Sequence, residues 1–309
     1  MENSQLFTLD CNYVAPQLAA SYLRVQDGEG AFIETGTSRN LPVLLAALAS
    51  AEVAREAVRY VIVTHVHLDH AGGASALLAE LPNATLLAHP RAARHLIDPS
   101  KLVASARAVY GADPFDQLYG TIAPVNAARV RALEDGSEVA FGRGTLRFVH
   151  TRGHANHHFV VVDTPRAAVF TGDTFGLVYP RLQRAGRFAF PSTSPTDFDA
   201  EAARASIDRV LSLGVERVCL THFGEFSDLD AIASQLRGWI DLSQELLRAS
   251  LAQDAGAAER WIRDALSREM ERRAQDAGLV LDEGDRALLA FDLDLNAQGI
   301  HYAASKQRA

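Results

Sequence analysis

The stretch VIVTHVHLDHAGG at residues 61–73 decides the fold and the candidate site of this chain. It begins with β-branched residues, which favour a buried strand, and then places four ligand-type side chains within six positions: His65, His67, Asp69 and His70. Three imidazoles and a carboxylate this close together are costly unless a divalent cation holds them, and imidazole suits zinc, iron, nickel and copper. A single histidine usually is a solvated polar residue, but four ligand-type residues directly after a buried strand favour a metal site.

Three more ligand-type residues follow later in the chain, each at the exit of a strand-like apolar run. They are His154, Asp173 at the end of FTGD, and His222 after VCLT. Together with the four residues of the first stretch they provide seven candidate ligands, which is enough for two metal ions and a bridging water. A lone His-x-His pair would be a weak signal, whereas this ordered set is a specific one.

The motifs HVHLDH at 65–70, GH at 153–154, GD at 172–173 and TH at 221–222 resemble, in order and separation, those of the metallo-β-lactamase-fold superfamily. The resemblance spans roughly residues 19–225. It implies the following ligand sets: His65, His67 and His154 for a first metal, Asp69, His70 and His222 for a second, and Asp173 as the bridge. It also implies an α+β fold class, a four-layer αββα sandwich, here with a C-terminal helical extension.

The patterns along the chain agree with that fold. Two strand-rich stretches, separated by a helical insertion at about residues 90–119, occupy residues 1–228, which we expect to form the catalytic domain. Residues 229–309 contain three helical patterns, at 229–252, 257–275 and 285–295, and are expected to form the C-terminal extension. These helices could cover the active site and select the substrate, form a homodimer interface, or simply pack against the sandwich. The insertion could likewise form one wall of a substrate pocket or cover a sheet.

Composition and charge narrow the classes of partner. The chain has 309 residues, 48% of them hydrophobic, and a formal net charge of −8 with no block of basic residues, so we expect no nucleic-acid partner. No apolar run approaches the ~18 residues of a membrane span, and the first 13 residues lack the features of a signal peptide. With Cys11 and Cys219 far apart, we expect reduced thiols, a cytoplasmic location and no membrane partner.

The resemblance and the ligand set together predict a hydrolase. Two divalent ions that share a hydroxide lower its pKa toward neutrality and polarise a carbonyl or phosphoryl oxygen. We expect zinc, with iron or manganese as alternatives, and Asp69 as the catalytic group that takes or relays the proton. No G-x-S-x-G motif competes with this interpretation. The motifs look most like those of the glyoxalase II-like and lactonase-like branches, which implies an ester, thioester or lactone as the small-molecule substrate.

Three alternatives stay open. A phosphodiesterase would use the same catalytic core, although the acidic composition disfavours it. A di-iron protein of the same fold would react with oxygen, but such relatives typically carry Glu where this chain has His67. A binding or regulatory protein would keep the fold with little turnover.

One departure from the family pattern concerns Glu34-Thr35-Gly36, where many relatives have Asp-Thr-Gly. We expect Glu34 to support the ligands at most and not to bind metal. The other histidines are expected to have structural or surface roles, with His150 at a strand end and His157 or His158 as groups that could orient a ligand.

Overall fold

The computed structural model describes residues 4–254 and 256–308 and divides into two compact units. Unit 1 comprises the chain up to His150 together with His157–Gly172 and Val215–Glu225. Unit 2 comprises Thr151–Asn156, Asp173–Gly214 and the chain from Phe226 onward. The predicted boundary between catalytic domain and extension, at residues 228 and 229, stays a prediction.

The first sheet has six strands in sequence order, β1 to β6. Their bounds are Ser4–Asp10, Ala20–Gln26, Glu29–Ile33, Val58–Ile62, Thr85–Ala88 and Val130–Ala132. The first three strands pair antiparallel, whereas β3 to β6 pair parallel. Since β4 is a central parallel strand, its carboxyl end delivers the chain to one edge of the sheet, and residues 65–70 follow there.

The second sheet also has six strands, in the order β12-β11-β10-β9-β8-β7. From β7 to β12 the bounds are Glu138–Phe141, Gly144–His150, Phe159–Asp163, Ala168–Gly172, Arg217–Leu220 and Gly224–Phe226. The pairs from β7 to β10 are antiparallel, and β10 pairs parallel with β11. Strand β12 is a short edge strand that the sequence patterns do not predict.

The two sheets pack face to face in unit 1. Ile33 and Ile62 of the first sheet share one buried cluster with Phe148, Phe159 and Phe170 of the second. One ion pair crosses this core: Arg24 Nε of β2 donates to Asp163 Oδ2 of β9 at 2.6 Å, and both side chains are buried. The prediction of two packed sheets in an α+β fold is therefore confirmed.

Helices cover the outer face of the first sheet. They are α1 (Leu41–Ser50), α3 (Ala74–Glu80) and α4 (Pro90–Ile97), and their apolar residues form one cluster with the sheet. A short helix, α2 (Leu68–Ala71), lies within residues 65–73, the segment with the first four predicted ligands, which we call the metal loop. The sequence patterns do not predict α2 because four residues are too few to show a helical period.

The insertion at residues 90–119 is helical, as predicted. After α4 it contains α5 (Ser100–Tyr110) and α6 (Ala112–Tyr119), the second of which was not predicted. Phe115 and Tyr119 of α6 pack with Leu68 of the metal loop, and the Tyr119 hydroxyl lies 2.8 Å from that of Tyr13. The insertion therefore covers the apolar side of α2.

Unit 2 contains four helices among its described residues: α7 (Ala200–Leu211), α8 (Leu229–Ser250), α9 (Ala258–Asp276) and α10 (Glu283–Arg308). The predicted C-terminal helices are thus confirmed, although α10 continues far beyond the predicted end at Leu295. Across the described residues, no helix combines the length and the low polarity that a membrane span requires.

Candidate metal centre

Strand β4 positions the first group of predicted ligands. After the buried residues Val61 and Ile62 the chain leaves the sheet, and His67 is the N-cap residue of α2. This one-turn helix carries Asp69 and His70. The four ligand-type residues of this stretch therefore all lie just after the carboxyl end of β4. The His65 ring centroid lies 4.5 Å from that of His67 and 4.0 Å from that of His70.

His222 joins this group from the end of β11. Asp69, His70 and His222 each offer one ligand atom, and these atoms all lie within 4.8 Å of one another. Asp69 Oδ2 is 3.5 Å from Nε2 of His70 and 3.5 Å from Nε2 of His222. His222 Nδ1 bonds to the Leu18 carbonyl, which can only accept, so Nδ1 carries a proton; in the neutral ring the lone pair is then on Nε2, the atom that faces Asp69. Two imidazoles and a carboxylate in this arrangement fit a divalent cation.

Glu34 lies under this group and is almost fully buried. Its carboxylate accepts hydrogen bonds from the Thr64 hydroxyl and from Thr221 Oγ1, the latter at 3.4 Å. Glu34 Oε1 is also 3.2 Å from His70 Nδ1. The carboxylate therefore connects the exits of β4 and β11, the two strands that precede the predicted ligands of unit 1. Glu34, His65 and His70 also offer ligand atoms within 4.8 Å of one another.

Unit 2 holds the remaining two predicted ligands. His154 and Asp173 are both buried, and His154 Nε2 lies 3.4 Å from Asp173 Oδ2. His154 Nδ1 lies 3.1 Å from the Ser192 carbonyl oxygen, to which it donates. Gly153 precedes the ligand at a φ of +119°, and a Cβ there would overlap the backbone of Ala203. The glycine is therefore required by both its conformation and the closeness of α7.

The seven predicted ligands thus fall into two groups: five in unit 1 and two in unit 2. Within each group the structure brings ligand atoms together. The assignment of each residue to a particular metal stays a prediction.

Four further histidines, which are not among the predicted ligands, contact backbone carbonyls, a backbone amide or the rings of other histidines. His150 ends β8, and its ring bonds to the Leu133 carbonyl at 3.0 Å, in line with the predicted strand-end role. His158 is buried 4.9 Å from the His65 ring, while the His157 ring is stacked with that of His65 at 6.1 Å. His89 caps α4, and burial together with the nearby imidazoles of His150 and His157 lowers its pKa to about 3.

A small cavity in unit 2 adjoins His154 and Asp173. Its other lining residues come from the segments around the two ligands and from α7 and α8: Arg152, Thr174, Pro191, Ser192, Phe198, Ala203, Ile207, Leu236 and Ile240. The sequence patterns single out none of these residues. Ser192 contributes its backbone carbonyl, which every residue has, so no sequence signal could have marked it.

Comparison with known proteins agrees with this architecture. A family model of the metallo-beta-lactamase superfamily matches residues 15–222. The metallo-beta-lactamase fold-containing protein ST1585 of Sulfurisphaera tokodaii is 29% identical over 169 residues, which are 53% of this chain and 60% of that protein. The alignment therefore spans less than two thirds of the relative.

Solved structures extend the similarity of fold. The ST1585 structure superimposes with a TM-score of 0.65 at 21% identity, covering 96% of this chain and 97% of that one. The family protein TTHA1429 of Thermus thermophilus gives 0.67 at 18% identity, covering 98% and 94%. A chemotaxis sensor, ODP, whose structure is described as a peroxy diiron species, gives 0.56 at 13% identity, covering 76% and 90%.

The family match covers more than half of the chain, and the fold class predicted from the motifs is the fold of that family. Most members of this superfamily are metal-dependent hydrolases, and the clustered histidine and aspartate side chains are of the kind that holds divalent metals. The chain belongs to the metallo-beta-lactamase superfamily.

Proposed function

We propose that this protein is a binuclear metal-dependent hydrolase that acts on an ester, thioester or lactone of small size. The observation that carries the proposal is the group of Asp69, His70 and His222, whose ligand atoms lie within 4.8 Å of one another. His222 is already oriented by the Leu18 carbonyl, so its Nε2 faces the group without rearrangement. Such preorganised donors are typical of a metal site rather than of a solvated polar loop.

The proposed ligand sets follow the family motifs. A first metal would be held by His65, His67 and His154, and a second by Asp69, His70 and His222, with Asp173 as the bridge. Zinc suits this mixture of imidazoles and carboxylates, and iron and manganese are the alternatives. When bound, two such ions supply a Lewis acid for the carbonyl oxygen and a water whose pKa is lowered toward neutrality.

The chain's own residues would perform two further tasks. Glu34 lies beside Nδ1 of His70 and would keep the Nε2 of that ring directed at Asp69. Asp69 retains 19% of its side-chain exposure, whereas His70 is fully buried. A partly exposed carboxylate can exchange a proton with solvent, which supports the role of Asp69 as the group that takes or relays the proton.

His67 favours hydrolysis over the di-iron alternative, because oxygen-reactive relatives typically carry Glu at this position. The fold by itself is compatible with both chemistries, since the ODP sensor described as a diiron species shares it. A phosphodiester substrate is disfavoured by the net charge of −8. We also propose a small-molecule substrate, no nucleic-acid partner, and a homodimer as the assembly to be tested by sedimentation.

The experiment combines metal analysis with a substrate screen. Protein purified without added metal is analysed for metal content and then assayed, metal-stripped and metal-loaded, against lactones, thioesters, aryl esters and phosphodiesters. We expect two metal ions per chain and metal-dependent cleavage of at least one of the first three classes. Bound iron with oxygen consumption and no ester, thioester or lactone hydrolysis would overturn the proposal in favour of redox chemistry.

A further inference from the structure

The inference concerns what orients His154 in unit 2. Its Nδ1 lies 3.1 Å from the Ser192 carbonyl oxygen, and a carbonyl oxygen can only accept a hydrogen bond. Nδ1 therefore carries a proton, and in the neutral ring the lone pair is on Nε2, the atom 3.4 Å from Asp173 Oδ2. The position of the Ser192 carbonyl thus sets both the tautomer and the ring orientation of His154.

One side chain holds the two residues that flank Ser192. Asn296 Nδ2 donates to the Pro191 carbonyl at 3.0 Å, and Asn296 Oδ1 accepts from the Thr193 amide at 2.6 Å. The Thr193 hydroxyl donates in return to the Asn296 carbonyl at 3.1 Å. A single amide group therefore spans Ser192 from Pro191 to Thr193.

The helix that carries Asn296 has little freedom to move at this point. Gly299 lies one turn further along α10, and a Cβ there would overlap the carbonyl oxygen of Thr193. The backbone of α10 therefore lies directly against the segment 191–193. Both Asn296 and Thr193 are buried, so water cannot easily reach them. Loss of their hydrogen bonds would therefore leave buried polar groups without partners, which costs stability.

The chemistry of the contact calls for an amide. Asparagine supplies one donor and one acceptor on a short side chain, and both are used here. Aspartate keeps the acceptor but has no donor for Pro191, and its charge would face that carbonyl. Leucine keeps the volume but neither bond, and it would leave two buried backbone groups without partners.

We propose that Asn296 is a positioning residue for the metal ligand His154, acting through the backbone of Pro191–Thr193. Helix α10, in the C-terminal extension, would then contribute to metal binding although it lies more than 60 residues after the last ligand motif in the sequence. The inference rests on the proposed function only in taking His154 as a ligand.

A second anchor of α10 provides the matched control. Asp285, buried near the start of the helix, pairs with Arg181 at 2.7 Å and with Arg184 at 2.6 Å. It holds the same helix to the loop that precedes Ser192, and its ion pairs are with Arg181 and Arg184, which lie outside segment 191–193. Asp285→Asn therefore weakens the attachment of α10 without removing the hydrogen bonds around Ser192.

The first experiment compares zinc affinity, by competition with a chromophoric chelator, in the wild type, Asn296→Asp, Asn296→Leu and Asp285→Asn. We expect both Asn296 variants to bind one zinc about 10-fold more weakly, the size typical of lost support for a ligand. Asp285→Asn should lose stability to urea but stay within about 2-fold in zinc affinity. Equal affinity in the Asn296 variants, or an equal loss in Asp285→Asn, would overturn the proposal.

The second experiment measures the tautomer in the wild type itself, and a variant serves only to assign the signals. The ring nitrogens of His154 are observed by 15N NMR in the metal-free wild type, with His154→Gln used to assign the signals. We expect the tautomer with the proton on Nδ1; the opposite tautomer would overturn the inference. If the wild type binds no metal, the proposed function fails, while this measurement still decides the role of the Ser192 carbonyl.

Discussion

Four of the five predicted ligands of unit 1 come from one short stretch of sequence, whereas the two ligands of unit 2 come from separate segments. In unit 1, His65, His67, Asp69 and His70 lie within six positions of each other, directly after a central parallel strand. In unit 2, His154 is oriented by a carbonyl 38 residues away, and the segment that provides this carbonyl is held by Asn296, a further 103 residues from Thr193. A local motif can be recognised in the sequence, but a ligand that depends on distant residues cannot be judged from its neighbours in the chain.

The largest expected effect comes from removing one ligand of each group. His67→Ala in unit 1 and Asp173→Ala in unit 2 should each lower metal content and reduce hydrolysis by about 10³-fold, since metal ions contribute several kcal/mol to the transition state. Plasma emission analysis and kcat/KM check this. His301→Ala, which removes an imidazole that belongs to neither group of predicted ligands, should leave both values unchanged. Full activity in either ligand variant would refute the ligand assignment for that group.

The next effect is on the unfolding free energy of unit 1, through the ion pair buried between its two sheets. Arg24→Met leaves the Asp163 carboxylate buried without its partner between the sheets, which should cost about 3–5 kcal/mol of unfolding free energy. Urea denaturation measures the loss. The control is Arg59→Met, because Arg59 and Glu29 form an exposed pair at 2.7 Å that should contribute below about 1 kcal/mol. An equal loss of unfolding free energy in the two variants would show that the buried pair contributes no more to the stability of unit 1 than the exposed pair does.

The corresponding ion pair of unit 2 should contribute less. Asp285 is buried, but Arg181 and Arg184 are half exposed, so Asp285→Asn should cost about 1–2 kcal/mol. The Arg184 guanidinium, followed by the Asp282 amide and Arg181, holds the pKa of Asp285 well below its usual range. A depressed carboxyl pKa stabilises the fold above about pH 4, and this contribution is lost as the pH falls further.

The measurement is urea denaturation of the wild type and Asp285→Asn between pH 7 and pH 3. The difference in unfolding free energy between them should shrink toward the acid end. A constant difference across this range would contradict the role of the charged pair. A cost above that of Arg24→Met would reverse the expected order of the two units.

The last effect is on thiol reactivity, which does not involve the ligands, and it reports on unit 1 alone, which contains both cysteines. Burial, as the main cause, raises the pKa of Cys11 to about 11 and places that of Cys219 further above its usual range. Both are free thiols, as the sequence predicted, and Cys219 lies in the core. Labelling with a maleimide at pH 8 should therefore be about 100-fold slower in the native protein than in urea. Fast labelling without denaturant would indicate that unit 1 opens readily.

Much of the fold could be predicted because the strands of this chain are short apolar runs bounded by clear turns. The two predicted strand-rich stretches contain β1 to β5 and β6 to β11, and the helical insertion and the C-terminal helices are confirmed. The elements that were missed, α2, α6 and β12, are too short for a period or lie beside breakers. Gly111 and Pro114, for example, are residue types that usually break a helix, although α6 begins between them at Ala112.

The end of α10 shows where local patterns fail. The pattern predicted a last helix over residues 285–295, which ends directly before Asn296. The helix continues to Arg308 because the buried hydrogen bonds of Asn296 and the close approach at Gly299 outweigh the small local cost of these residues. The part of α10 that the pattern left out is the part that reaches the segment beside His154.

By itself, the sequence determined the family, the fold class and the candidate ligands, because each ligand directly follows an apolar strand and such strand ends meet at a sheet edge. Only the tertiary structure decided how those ligands are oriented. The carbonyls of Leu18 and Ser192 set the tautomers of His222 and His154, and Glu34 and Asn296 act through contacts between residues far apart in the chain. Such a hydrogen bond requires a particular distance and angle between donor and acceptor, and these are set by the folded structure and not by the local sequence.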